Sequence, residues 1–265
     1  MNIFLRELKV HRFSLLFWSL GMVALIGSGM AKFAAYELAG QSLEKIMATL
    51  PRAVLVVFGI SGFDLKTASG FFGVLFLYIA VMASVHAVLL GSTLISKEER
   101  DRTSEFLYAK PISRDRALTG KLLAGLVLVV ILNLVTSVSS FVFVGNFAGD
   151  EPFQREVLLL MVGLLFLQLI FFAIDAVVAG VARRPKSAPS RATSVMFLTF
   201  LLYYLVNLNE GLGFLRYLSP FKYFDAGTLM TDGQLDPLFV VLSVVIIALA
   251  AFGTYHYFSE RDLNV

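Results

Sequence analysis

The chain has 265 residues, of which 58% are hydrophobic and 15% are charged. Its mean hydropathy of +0.80 exceeds that of ordinary soluble domains, so the composition excludes a soluble globular protein and indicates a membrane protein. Cysteine is absent, which excludes disulfide bonds and thiolate metal sites, and the net charge of +3 acquires meaning only when it is assigned to individual loops.

The first twelve residues mix charged and apolar side chains. This pattern predicts a short interfacial helix that lies under the membrane before the first span, and a disordered basic tail is the alternative. The apolar stretch Phe13–Ala35 is longer than the core of a signal peptide, so we expect it to remain as a membrane anchor. Residues 36–69 predict an amphipathic outer helix, a break at Pro51 and a second apolar piece.

Six apolar stretches reach or approach the length of about 20 residues that a helix needs to cross the hydrocarbon layer. Apolar residues follow one another continuously in these stretches, which argues against a membrane β-barrel. We therefore predict an all-α polytopic integral membrane protein, with residues 1–265 forming a single transmembrane domain. The predicted spans are Phe13–Ala35, Gly70–Ile95, Leu122–Val144, Val157–Val181, Ala192–Leu208 (the shortest) and Leu238–Phe258.

Lysine and arginine are distributed unevenly between the two sides of the membrane that six spans define. Fifteen of the 22 fall on the side of the chain termini and seven fall on the opposite side. Because loops rich in these residues remain in the cytoplasm, both termini are predicted to be cytoplasmic.

The connection between the second and third spans is the most highly charged part of the chain. From Ser96 to Arg116, 11 of 21 residues are charged, yet Phe106, Leu107 and Tyr108 lie among them. One interpretation is a solvated loop whose apolar residues lie in lipid, and composition alone favours it. The other is a cytoplasmic surface that binds a second protein.

Capping residues divide this connection into helical pieces. Ser96 has the spacing of a capping box with Glu99, although the second span would equally continue as a helix into the cytoplasm. Thr103 is a candidate N-cap for a short helix that ends before Pro111, and Ser113 is a candidate N-cap for the helix that enters the third span. The pattern predicts a helix, a break and a second helix.

This connection resembles the corresponding loop of type-2 permeases of the ATP-binding cassette transporters. The family pattern is Glu-x-Glu/Arg, Thr-x-Glu-x-Leu, Pro-x-Ser-Arg and then Gly-Lys; Arg102 departs from it, because a glycine commonly precedes the threonine. The resemblance extends over the chain through the interfacial helix, the six spans and the Ser219–Phe224 motif. The matching residues are Glu98 or Glu99, Arg100, Thr103, Glu105, Leu107, Pro111, Ser113, Arg114, Gly120 and Lys121.

The resemblance implies that residues 96–121, hereafter the coupling segment, contain a coupling helix that contacts a separate ATPase subunit. It also implies export across the cytoplasmic (inner) membrane, and a second permease, identical or related, that completes the transporter. Charged residues would form ion pairs with the ATPase, and Phe106 and Leu107 would be the apolar anchors. The implied interface is Glu98, Glu99, Arg100, Thr103, Glu105, Phe106, Leu107, Pro111, Ser113 and Arg114.

No nucleotide-binding or catalytic motif is found in the sequence. Thr119-Gly120-Lys121-Leu122 lacks the first glycine and the final Ser or Thr of a phosphate-binding loop. Gly-x-Ser-x-Gly and His-Glu-x-x-His are also absent, and the three histidines are too scattered for a sequence-local metal site. We therefore expect that the chain is not an enzyme and holds no cofactor, and that ATP and Mg²⁺ are bound by the partner.

Four of the polar residues inside the predicted spans are candidates for a translocation path. His86 and Asp175 are predicted at similar depth in the inner half, where they would pair or line a polar path; alternatively, Asp175 only helps to pack helices. Asn133 and Gln168 lie near mid-membrane and are better explained by contacts between helices than by a ligand site. Residues 209–237 are predicted to form an outer re-entrant-like loop of short helices.

The sequence thus predicts the permease subunit of an ATP-driven exporter, with membrane lipids, an ATPase and a second permease as partners and no nucleic acid. The main alternative is a stand-alone secondary transporter driven by an ion gradient. An intramembrane enzyme is disfavoured by the missing catalytic motifs. The transported substrate is not indicated by these residues.

Overall fold

The computed structural model describes residues 2–39, 49–60, 62–100, 113–182 and 187–260, which are helical with connecting turns and contain no strand. Six of the helices are long and apolar enough to cross a membrane, so the predicted all-α polytopic fold is confirmed. The helices are α1 (Ile3–Ala39), α2 (Arg52–Val57), α3 (Ala68–Arg100), α4 (Arg114–Ala148), α5 (Gln154–Val181), α6 (Ala188–Leu208), α7 (Pro220–Tyr223), α8 (Ala226–Asp232) and α9 (Pro237–Glu260), with a 3-10 helix (Glu210–Leu218) between α6 and α7.

The amino-terminal segment is helical, but it is not separated from the first span. Helix α1 runs for 37 residues without a break, which corresponds to about 55 Å. No proline or glycine lies between Ile3 and Leu20 to end a helix there. The prediction of a distinct interfacial helix is therefore not confirmed, and one face of this segment, carrying Ile3, Glu7 and His11, is buried in the protein.

Helices α3 and α5 form the centre of the bundle. In their apolar stretches 61% of the residues are buried inside the protein, against 17% in α6 and α9. Helix α1 is also largely exposed, and it packs mainly against α4. The outer faces of α1, α6 and α9 therefore present apolar side chains to lipid or to a second protein.

Small residues allow α1 to approach its neighbours closely. A Cβ atom added at Gly21 would lie 2.7 Å from Met82 Cε, and one added at Gly29 would lie 2.5 Å from Leu75 Cδ2. Because lipid is as apolar as the side chains, close van der Waals contact is a principal source of helix association in the membrane. These glycines fix α1 against α3.

The segment 209–237 forms short helices, as predicted, and they cover the end of the bundle that is predicted to be the outer one. Tyr204 on α6 donates a hydrogen bond to the carbonyl oxygen of Val57 at 3.0 Å, and Ser219 donates one to the carbonyl oxygen of Thr199 at 2.7 Å. Burial raises the pKa of Tyr223, whose hydroxyl donates a hydrogen bond to the carbonyl oxygen of Tyr217. The amphipathic helix predicted before Pro51 falls mostly on residues 40–48, which lie outside the described residues.

Candidate coupling site and polar groups of the spans

Two long helices bracket the coupling segment. Helix α3 continues to Arg100 and α4 begins at Arg114, so the second span does continue as a helix beyond its apolar part. Glu98, Glu99 and Arg100 form the end of α3, and their side chains are outside the described residues. Thr103, Glu105, Phe106, Leu107 and Pro111 also lie outside the described residues.

Ser113 caps α4, as predicted. Its Oγ accepts a hydrogen bond from the backbone N–H of Arg116 at 3.3 Å, and Asp115 lies in the first turn, where the helix dipole favours a negative charge. Residues 114–121 precede the predicted span and add about 12 Å of helix on the predicted cytoplasmic side. The carboxyl-terminal end of the coupling segment is thus a rigid extension of α4, which Arg114 begins.

A buried ionic cluster lies beside these helix ends, and the sequence analysis did not predict it. Glu7 on α1 has no solvent-exposed side-chain surface, and its Oε2 lies 3.8 Å from His11 Nε2 and 4.0 Å from Lys97 Nζ. Its Oε1 lies 3.9 Å from Arg6 Nε. The sequence signal was the spacing of Ile3, Glu7 and His11, which places all three on one helix face.

Lys121 joins α4 to the same region. It is 1% exposed, and its Nζ donates a hydrogen bond to the carbonyl oxygen of Leu94 on α3 at 2.7 Å. The neighbouring Gly120 is packed on α1, since a Cβ atom placed there would lie 3.4 Å from Ile3 Cβ. The Gly-Lys pair of the family pattern therefore connects the three helices at their predicted cytoplasmic ends.

Asp175 lies between the two central helices. It is fully buried on α5, and its Oδ2 accepts a hydrogen bond from the backbone N–H of Ser92 on α3. The ring of His86 contacts Trp18 on α1 edge-on, with the ring centroids 5.4 Å apart. His86 and Asp175 therefore have different partners and do not pair, and the position of Asp175 supports its role in helix packing.

Substitutions of Asp175 test whether the residue only packs helices or whether its ionised carboxylate is needed for transport. Asp175→Asn keeps an oxygen that can accept from Ser92, so its melting temperature in detergent is expected to stay within about 3 °C of the parent. Asp175→Ala leaves the N–H without its side-chain acceptor and is expected to lower stability by about 1–3 kcal/mol. A stable Asp175→Asn protein that no longer transports would instead assign the ionised carboxylate to the mechanism.

Asn133 and Gln168 contact each other across α4 and α5. Asn133 Nδ2 donates to Gln168 Oε1 and to the carbonyl oxygen of Met161, both at 3.2 Å. Both side chains are buried. This arrangement supports the interpretation that they hold helices together, because interhelical polar contacts of this kind contribute about 1 kcal/mol in membranes.

A groove of about 540 Å³ opens at the surface beside α3 and the first half of α6. Its lining combines the hydroxyl side chains of Ser190, Thr193 and Ser194 with apolar side chains. The groove can therefore bind the apolar part of a molecule and form a few hydrogen bonds with it. This face was not predicted from the sequence, although its three hydroxyls are spaced i, i+3 and i+4, and Thr193 and Ser194 lie inside the predicted fifth span. The lining is Leu89, Pro189, Ser190, Thr193, Ser194, Phe197 and Leu198.

A smaller polar cavity of about 200 Å³ lies near α2, α6 and α8, on the predicted outer side. Asp225 in its wall accepts a hydrogen bond from Tyr203 at 2.9 Å and forms an ion pair with Lys222 at 3.2 Å. Asp225 also caps α8, because its Oδ2 accepts a hydrogen bond from the backbone N–H of Thr228. Through these three contacts, the Asp225 carboxylate holds α7 and α8 against α6.

The chain matches the model of a known protein family. Residues 1–263 match the family model described as ABC-2 family transporter protein. No curated protein matches the chain significantly. Within the described part of the chain, no group of three or more His, Cys, Asp or Glu side chains is placed to hold a metal ion.

Proposed function

Because the chain belongs to the ABC-2 family of transporter proteins, we propose that it is the permease subunit of an ATP-driven exporter. A separate subunit of the ATP-binding cassette type binds and hydrolyses ATP with Mg²⁺. This chain supplies the transmembrane path and has no catalytic role of its own. Both of its termini and the coupling segment lie in the cytoplasm, and the membrane is the inner membrane.

The observation that carries this proposal is the pair of helices that bracket the coupling segment. A span needs about 30 Å of helix, whereas α3 has 33 residues and α4 has 35, which correspond to about 50 Å each. The excess at the predicted cytoplasmic ends carries the charged residues and joins them rigidly to the two spans. A force applied to the coupling segment is therefore transmitted to α3 and α4.

A second permease, identical or related, completes the transporter. Three spans support the presence of this second permease. Helices α1, α6 and α9 bury few of their residues within this chain and leave apolar surface for a partner. The groove beside α3 and α6 faces outward from the same bundle and would contribute to a path shared with the second copy. Its apolar lining with hydroxyl groups favours an amphiphilic substrate.

Purification of the full chain from its native host in mild detergent, followed by mass spectrometry, tests the proposal. A soluble ATPase with a phosphate-binding loop is expected to copurify, and ATP hydrolysis is expected to require that subunit. A preparation without an ATPase that performs proton-coupled uptake in vesicles would contradict the proposal. It would favour the alternative of a secondary transporter driven by an ion gradient.

A further inference from the structure

Glu7 occupies an unusual position for a residue so close to the amino terminus. It precedes the predicted first span, where a carboxylate would ordinarily lie in water, yet its side chain has no exposed surface. Within the described residues, neither of its oxygens accepts a hydrogen bond. Its charge is compensated by Arg6 and Lys97, whose side-chain nitrogens lie 3.9 and 4.0 Å from its oxygens, because burying an uncompensated carboxylate is costly.

One of these cations, Lys97, connects Glu7 to the coupling segment. Lys97, at 4.0 Å, lies on α3 three residues before its end at Arg100. Lys121 on α4 is the last residue of the coupling segment, and it is bonded to α3 beside the same cluster. Its neighbour Gly120 packs against Ile3, one turn before Glu7 on α1. The first turns of α1 thus contact both helices that flank the segment.

We propose that Glu7 is a positioning residue that ties the first span to the coupling segment, so that a movement of that segment is transmitted to α1. The inference rests on the proposed function. A buried carboxylate cannot be separated from its cations without leaving charges uncompensated. When α3 and α4 are displaced at their predicted cytoplasmic ends, α1 therefore moves with them.

Because α1 is a single continuous helix, it determines how the movement is transmitted through the membrane. It is one uninterrupted helix, so a displacement at Glu7 is carried along the first span as a rigid body. Its face away from the bundle carries exposed apolar side chains at Phe13, Phe17 and Leu20. A second permease or lipid on that face would respond to the displacement.

The test uses the absence of native cysteine, which allows single reporters to be introduced without a background. Val10→Cys on α1 and Leu123→Cys on α4 replace side chains that are 47% and 49% exposed. Each would carry an environment-sensitive fluorophore in the full chain, assembled with its ATPase in lipid nanodiscs. In the parent protein, both reporters are expected to change their emission on addition of ATP.

With Glu7→Gln, the ATP-dependent change at position 10 is expected to fall at least about fivefold, while the change at position 123 is retained. Glu7→Asp, which keeps the charge, should preserve more of the response at position 10. An unchanged response at position 10 in Glu7→Gln would overturn the inference. So would a parent protein in which position 123 responds and position 10 does not.

A double variant keeps the test valid if Glu7→Gln folds poorly. Glu7→Gln with Lys97→Met removes both members of the buried pair, and thermal stability is expected to recover relative to the single variant. The response at position 10 should stay lost, and its return in the double variant would overturn the inference. A chain that recruits no ATPase and responds at neither position contradicts the proposed function, and the inference with it.

Discussion

Replacing Leu107 by aspartate is expected to abolish association with the ATPase subunit while membrane insertion continues. Leu107 is the apolar residue of the Thr-x-Glu-x-Leu pattern in the most highly charged part of the chain. Apolar anchors at the centre of an interface carry most of the binding energy, and their loss costs about 2–4 kcal/mol. Aspartate adds the cost of burying an unpaired charge, so the affinity should fall at least about 30-fold.

The control for this variant is the same substitution elsewhere. Leu218 is 61% exposed and lies in the 3-10 helix, which is predicted to be on the opposite side of the membrane from the coupling segment. Leu218→Asp should therefore insert and copurify with the ATPase like the parent. Binding is measured as the amount of ATPase retained per permease after detergent extraction and size exclusion.

Glu105→Arg tests whether the coupling segment is a specific interface with the ATPase or a solvent-exposed loop. In a specific interface a reversed charge opposes its former partner, so retention of the ATPase should be lost, most strongly at low salt. In a solvated loop the same change would have no effect on the partner. Normal copurification of both Leu107→Asp and Glu105→Arg would show that the coupling segment does not bind the ATPase.

The six spans could be predicted because their signal is local. Length and hydropathy of a continuous stretch are properties of neighbouring residues, and each predicted span lies within one observed helix. Even the shortest, Ala192–Leu208, is part of α6. The Ser113 cap was equally local, since its hydrogen-bond partner is three residues away.

The amino-terminal segment could not be predicted in the same way. Its mixture of charged and apolar residues suits the membrane interface as well as a buried ionic contact. The choice depends on Lys97, which lies 90 residues away in the chain and adjoins Glu7 only after α1 and α3 have packed together. Charges that find their partners through the tertiary fold leave little trace in a single sequence.

The pairing of His86 with Asp175, one of the alternatives that the sequence left open, is not formed, and the reason is different. Counting residues from the span ends estimates depth, but it does not fix which way a side chain points. Asp175 faces Ser92, which is six residues beyond His86 on α3 and therefore about 120° away around the helix. His86 faces α1 instead, where it contacts Trp18.

Gly91 lies where the two central helices, α3 and α5, are in close contact. Gly91→Ala is therefore expected to destabilise the protein strongly. A Cβ atom there would lie 2.5 Å from Asp175 Oδ2, 3.0 Å from the carbonyl oxygen of Phe172 and 3.2 Å from the backbone nitrogen of Ala176. Two of these three atoms belong to the α5 backbone and cannot move away as a side chain would. Overpacking of this kind costs about 1–3 kcal/mol, and Gly91→Leu should prevent accumulation of folded protein.

Gly180→Ala supplies the matched comparison, because it makes the same change in the other central helix. Its Cβ would lie 3.7 Å from the carbonyl oxygen of Thr254, an ordinary contact distance. Alanine is favoured over glycine within a helix by about 1 kcal/mol, so Gly180→Ala should keep or slightly raise the melting temperature in detergent. Gly91→Ala should melt at least about 5 °C lower than Gly180→Ala. Equal melting temperatures would contradict the close approach of α3 and α5. Adding Asp175→Ala to Gly91→Ala should not restore stability, because the Phe172 carbonyl oxygen still opposes the new methyl group and the N–H of Ser92 loses its side-chain acceptor.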